Sequence, residues 1–307
     1  MAEDNKSLIE VGDLAGLSKP AEKLIDKISE AMGWVFRPKQ IRRTAQAEAD
    51  AEVIRARGDV LAKQIRAAGD MDLQGAVEQR AMRRLAHEEV RRQSNIEAIA
   101  VKAIPHVADA AAPEKIDDDW MALFWDRSKL VSNEQMQEVW ARVLAGEANA
   151  PGLFSRRTLE IIGSMTRRDA ELFVTLLSFG DPIFQDGAPF VFEPESPLYS
   201  DRGLGSVALR HLQTLGLVQV LDLNDWQFAS VPAATPPARG SVLAFGRRIN
   251  VEAPHSTVIA LSMGKVLLTQ YGLELLRICD RVPAPDGFAE VLADKWRQQG
   301  YVVTVLS

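Results

Sequence analysis

Residues able to do chemistry are few in this chain and badly spaced for it. The four histidines, His87, His106, His211 and His255, fall at intervals that suggest no metal site. His87-Glu88-Glu89 sits in a run of helix-forming residues and reads as a solvated helix face rather than a ligand set. Asp181, Asp186, Glu193, Glu195 and Asp201 fall together around four prolines, and such carboxylates can gather around a divalent ion. The simpler reading, a solvated acidic loop, outweighs it. The single cysteine, Cys279, lies in the apolar run LELLRICD, reads as a small core residue, and excludes an internal disulfide. No phosphate-binding glycine loop, dinucleotide fingerprint, G-x-S-x-G or H-E-x-x-H occurs. The expectation is a protein that is not an enzyme and uses no cofactor or metal.

Contact surfaces are the better candidates. From Arg37 to Arg92 the chain carries thirteen Lys/Arg against nine Asp/Glu, a net of +4, whereas the whole chain is −6 and the rest therefore −10. A mildly basic arm on an acidic body suggests an anionic contact, such as the body of a neighbouring subunit; a solvated face of mixed charge is the blander alternative. Trp34, Val35 and Phe36 precede Arg37, Arg42 and Arg43. An aromatic tip beside positive charge can sit at a membrane interface or against a partner, although such a cluster more often anchors a core. A second set, Arg202, Arg210, His211 and Gln213, is expected on the exposed side of a helix, facing nucleic acid or a partner protein.

The elements that must position these residues divide the chain into four parts. Residues 1–37 hold an amphipathic helix starting at Lys19, with Ser18 as its cap and Leu24, Ile25, Ile28, Met32 and Phe36 on one face. Residues 38–104 read as a long charged, coiled-coil-like arm. It is either one helix of roughly 65 residues, near 100 Å at 1.5 Å per residue, or two helices broken near Gly58, Gly69 and Gly75. An arm with so thin an apolar stripe depends on packing against another copy, a partner or the body. Residues 105–180 read as a helical bundle anchored by Trp120, Trp125 and Trp140. Carboxylates at Asp117 to Asp119 start one helix, Ser132 with Gln135 caps a second, Ser155 a third, and Thr166 with Asp169 a fourth.

Residues 181–307 change character. A helix ending at Gly216 leads into an apolar strand from Leu217 to Leu223, a turn at Asn224-Asp225 and a second strand. The runs SVLAF and TVIALSM follow, then LTQYGLELL, a last helix FAEVLADKWRQQG and a closing strand YVVTVLS. The order helix, strand, wing-like hairpin, helix resembles a winged-helix domain. The expected class is therefore mainly α with a smaller α+β part. No stretch reaches the roughly 18 apolar residues that span a bilayer, so the expected location is cytoplasmic or peripheral to the inner membrane.

FRPKQIRRTAQAEADAEVIRARG, then VSNEQMQEVWARVLAGEANAPGLFSRRTLEIIGSMTRRDAELF, then LTQYGLELL, resemble the uncharacterised bacterial family called domain of unknown function 2806. More loosely, the acid-and-alanine-rich arm after a short amphipathic helix is similar to the abortive-infection alpha proteins. The first likeness carries no catalytic residues. Together they imply a bacterial accessory protein that senses or effects antiphage defence. A protein partner encoded nearby, a homo-oligomer built through the arm and a membrane surface are the expected contacts, with nucleic acid behind them.

Overall fold

The computed structural model describes residues 18–32, 73–181, 189–230, 232–280 and 282–306. The fold is mainly helical with a smaller β part. It forms two compact units, the first extending to Leu153 and the second beginning at Phe154. This division falls inside the stretch 105–180 that the sequence groups as one bundle.

In the first unit, α1 (Lys19–Met32) is capped by Ser18, whose Oγ accepts from Ala21 N at 3.4 Å. Its buried face is Ala21, Leu24, Ile25 and Ile28. That face packs on the 3₁₀ turn Pro113–Lys115 and on α3 (Asp118–Ser128). Among its described side chains, the long helix α2 (Leu73–Ala103) buries those toward its C-terminal end, Asn95, Ile96, Ile99, Ala100 and Ala103. Its packing partner is α4 (Glu134–Asn149). Asp117 caps α3, accepting from Trp120 N at 2.8 Å, so the acidic start also meets the favourable end of the helix dipole. The cap of α4 is Asn133, one residue later than the Ser132–Gln135 box expected from sequence; its Oδ1 accepts from Met136 N at 3.0 Å. Ser132 is occupied elsewhere, its Oγ accepting from Asn95 Nδ2 at 3.2 Å. Trp120, Trp125 and Trp140 are all buried around Phe124, whose ring meets that of Trp140 edge-on at 5.2 Å.

The second unit starts with α5 (Arg156–Ser164) and α6 (Arg167–Leu177), capped by Ser155 and by a full Thr166/Asp169 capping box. After the short helix α7 (Pro197–Ser200) comes α8 (Ser206–Thr214), with Leu209 and Leu212 buried and Gly216 in the left-handed region just beyond its end (φ +87°). Strands β1 (Val218–Val220) and β2 (Trp226–Ala229) follow. The expected turn at Asn224-Asp225 does not pair them with each other. Instead β2 pairs antiparallel with β5 (Ala260–Gly264), and β1 with β6 (Val266–Leu268). Residues 221–225 therefore protrude opposite the single residue Lys265.

Between these lies the hairpin of β3 (Ala238–Ala244) and β4 (Arg247–Ala253), turned at Phe245 and Gly246, both with positive φ. β4 gave no sequence signal because its first residues, Arg-Arg-Ile-Asn, are mostly polar. Helix α9 (Gln270–Leu276) is capped by Thr269. Helix α10 (Phe288–Gln298) leads to β7 (Val302–Leu306), which completes a three-stranded sheet in the order β3-β4-β7. The tip of the β3–β4 hairpin is docked rather than free. Phe245 packs edge-on against Phe288 at 5.0 Å, and its N–H donates to the buried Asp181 carboxylate at 2.6 Å.

Candidate interaction site

Helix α8 places Val207, Arg210, His211 and Thr214 on one exposed side by its i, i+3, i+4, i+7 spacing. Each of the polar groups expected to face a ligand already holds a partner within the unit. Arg210 forms an ion pair with Asp222 of the protruding loop and also donates to Gln213 Oε1 at 3.3 Å. Gln213 Oε1 in turn accepts from Val220 N at 3.1 Å, tying the end of β1 to α8. His211 Nε2 donates to Asp169 Oδ1 at 2.7 Å. Arg202 lies before α8 and donates to Leu198 O at 2.8 Å. Arg210, His211 and Gln213 are thus brought together, and Arg202 is engaged separately.

The Asp169 carboxylate is held below the usual aspartate range. Burial works to raise it, but hydrogen bonds from Thr166 N–H, His211 and the Thr166 hydroxyl outweigh that. Sequence reading found Asp169 as a capping residue but missed its second role. It also missed Asp222, which is 12 positions from Arg210 and carries no local signal.

Around these paired charges the surface is apolar at two points. Val207 on α8 is 86% exposed and Leu223, at the tip of the protruding loop, 90% exposed. The loop is tied down on both sides. Asp222 holds Arg210, Leu221 N donates to Lys265 O at 2.8 Å, and Asp225 Oδ2 accepts from Ser262 Oγ. An open depression of about 1060 Å³ lies beside it, lined among others by Asp222, Asp225, Trp226, Lys265 and Gln299. A pre-organised loop with an apolar tip and internally neutralised charges suits contact with protein better than contact with phosphate.

In the first unit the exposed half of α2 is the comparable surface. Val77 (55%), Met82 (69%), Leu85 (53%) and Val90 (62%) are large apolar side chains left in solvent. Arg80, Arg83, Arg84, His87 and Arg91 share one side of the same stretch by spacing. Arg92 on this helix pairs with Glu88 at 3.6 Å and also with Glu89, and Arg84 approaches Glu88 at 3.8 Å. The other candidates of the arm, Trp34, Val35, Phe36, Arg37, Arg42 and Arg43, lie outside the described residues.

The acidic stretch is dispersed among separate tasks. Asp181 serves Phe245, Glu193 Oε1 accepts from Lys295 Nζ at 3.0 Å, and Glu195 Oε1 accepts from Ser206 N at 2.9 Å at the start of α8. Asp186 lies outside the described residues. Among the described residues no group of three or more His, Cys, Asp or Glu is placed to hold a metal ion.

The family model for Protein of unknown function (DUF2806) matches residues 79–292, more than half of the chain. The chain belongs to the DUF2806 family. The match takes in α2 from residue 79, all of α8 and the protruding loop, so apart from Val77 the residues named on both surfaces of this DUF2806 protein lie within the family's own span. No curated protein and no solved structure matches the chain.

Proposed function

We propose that this DUF2806 protein is a non-enzymatic interaction protein that works with a partner protein encoded nearby, as a sensor or effector of antiphage defence. The observation that supports partner contact is α2. Ahead of Asn95 it leaves four large apolar side chains, Val77, Met82, Leu85 and Val90, in solvent, whereas from Asn95 onward it is packed, so the exposed stretch has apolar surface to offer a partner. The same helix would join copies of the chain into a homo-oligomer. The defence role rests on the likeness of the arm to abortive-infection alpha proteins. Phage plating efficiency, with the gene alone and with its genomic neighbours, tests it. Protection that needs a neighbour is the expected result, and no protection in any combination removes the defence role.

A membrane-active version uses Trp34 to Arg43 and α1. Among the described residues no helix is long and apolar enough to cross a membrane, so this version rests on surface binding. Flotation with anionic liposomes, with Trp34→Glu as control, decides it, and a wild type that stays at the bottom rules it out.

A second reading, a winged-helix nucleic-acid-binding regulator, draws support from element order. α8 is followed by the ribbon of β1, β2, β5 and β6 and then by α9. Against it stand the pairing of Arg210 with Asp222 and the docked tip of the β3–β4 hairpin, which leaves that hairpin no free tip to enter a groove. Duplex affinity that falls steeply with salt, and further on Arg210→Ala, would support this reading. No binding at low salt would end it.

A further inference from the structure

The ribbon strand β5 has two edges, and they are treated differently. On the edge away from β2, side chains take the place of a strand. Tyr301 Oη accepts from Ala260 N at 2.9 Å and donates to Ala260 O at 2.7 Å. Gln299 Oε1 accepts from Ser262 N at 3.2 Å, and Trp296 Nε1 donates to Ser262 O at 2.9 Å. Ala260 and Ser262 therefore turn their backbone groups away from β2. In an antiparallel ladder opposite residues alternate between pairs that exchange hydrogen bonds and pairs that do not. The register sets Ala229 opposite Ala260 and Gln227 opposite Ser262, so these are the pairs that do not. Ser230 N donating to Ile259 O at 2.8 Å, one step further along, fits the same alternation.

It follows that Gln227 and Ala229 point their N–H and C=O groups outward, away from β5. Both residues are exposed, and among the described residues neither backbone meets a partner on that side. Two donor–acceptor sets spaced two residues apart, about 6.8 Å, match the repeat of an extended chain. Short as it is, the stretch Gln227 to Ala229 holds no proline and no lysine, and the register shift of the ladder falls before it, between Trp226 and Gln227.

We propose that the outer edge of β2 receives an extended segment of a partner polypeptide, which adds a strand to the ribbon through Gln227 and Ala229. A second copy paired through the same edge suits it less well. Four residues span about 14 Å, far too little by itself for the roughly 1,000 Å² that a stable dimer buries. The inference is independent of α2, which lies in the other unit. Its failure leaves the proposed α2 contact standing, and loss of the α2 contact leaves this edge standing.

A random dodecapeptide library displayed on a carrier, selected against the full chain, supplies the probe. Ala229→Pro removes an outward N–H that the ladder with β5 does not use, so it should block the edge and leave the fold intact. Enriched peptides should bind the wild type and bind Ala229→Pro at least about tenfold more weakly. A scan of the same peptides by backbone N-methylation needs only the wild-type protein. Binding should fail at two positions two apart and survive at the one between. No enriched peptide, equal binding to both proteins, or N-methyl tolerance without a period of two would each overturn the proposal. So would a wild-type dimer that Ala229→Pro disperses, because the edge would then belong to a second copy.

Discussion

Asp169, in the first turn of α6, and His211, on α8, share a hydrogen bond of 2.7 Å, and the same carboxylate closes the capping box with Thr166. One side chain thus caps a helix and ties it to the next packed helix, which makes its charge worth testing. Its pKa is depressed in the folded state, so the stability it adds is present above the ordinary aspartate value near 4 and is lost as pH falls through the folded value. Asp169→Asn should cost about 1 to 2 kcal/mol at neutral pH, the range of a lost cap. In urea unfolding the gap between wild type and variant should narrow below about pH 4. A gap that stays constant into acid would show that the charge is not what stabilises.

Two tryptophans of equal burial should respond differently to the same change. Trp140 and Trp296 are both fully buried, but Trp296 Nε1 donates to Ser262 O, whereas Trp140 Nε1 has no partner. Trp296→Phe removes a donor and strands a strand carbonyl, while Trp140→Phe removes a donor that was never satisfied. Trp296→Phe should therefore be the more damaging by about 1 to 3 kcal/mol. Guanidinium unfolding of both variants gives the comparison, and equal losses would mean that ring volume decides both.

Glycine substitutions separate open helix from crowded backbone. A Cβ on Gly75, in the exposed part of α2, would meet nothing within 4 Å. Gly75→Ala should raise helicity and stabilise by up to about 1 kcal/mol. A Cβ on Gly272, in α9, would sit 2.2 Å from Leu217 O, a backbone atom that cannot rotate aside. Gly272→Ala should cost about 1 to 3 kcal/mol or more by overpacking. Circular dichroism melts of the two variants should move in opposite directions, and a neutral Gly272→Ala would refute the close approach of α9 to this strand end.

The helical caps were legible because capping is local chemistry. Ser18, Ser155 and Thr166, and the acidic start at Asp117, each announce a helix within three or four residues, and the one misplaced cap, Ser132, was off by a single position from Asn133. The buried tryptophans of the first unit were legible for a similar reason, since large aromatics at helical spacing have few alternatives to a core. What escaped was pairing at a distance. Nothing local shows that β1 and β2 answer to β6 and β5, or that residues 221–225 bulge opposite Lys265. The polar start of β4 concealed a strand that is central in its sheet. The candidate site shows the same limit. Arg210 and His211 were found as exposed residues on a helix, but their partners Asp222 and Asp169 come from other elements and turn a basic-looking face into one whose polar groups are already paired.

The exposed half of α2 allows fold and contact to be separated cleanly. Leu85 is more than half exposed, so Leu85→Asp should shift stability by no more than about 0.5 kcal/mol, as surface changes do. The same change puts a charge in the middle of the apolar residues, and desolvating it against a partner costs far more than it does in water. Sedimentation and co-purification with the neighbouring gene product should therefore lose the complex while the melting curve stays in place. Arg80→Glu serves as the companion, because it reverses a charge on the basic side without touching the apolar residues. If Leu85→Asp dissociates the complex and Arg80→Glu only makes it salt-sensitive, the contact is apolar with charge at its rim. If neither variant changes assembly, α2 is solvated along this length and the proposal that it docks is wrong.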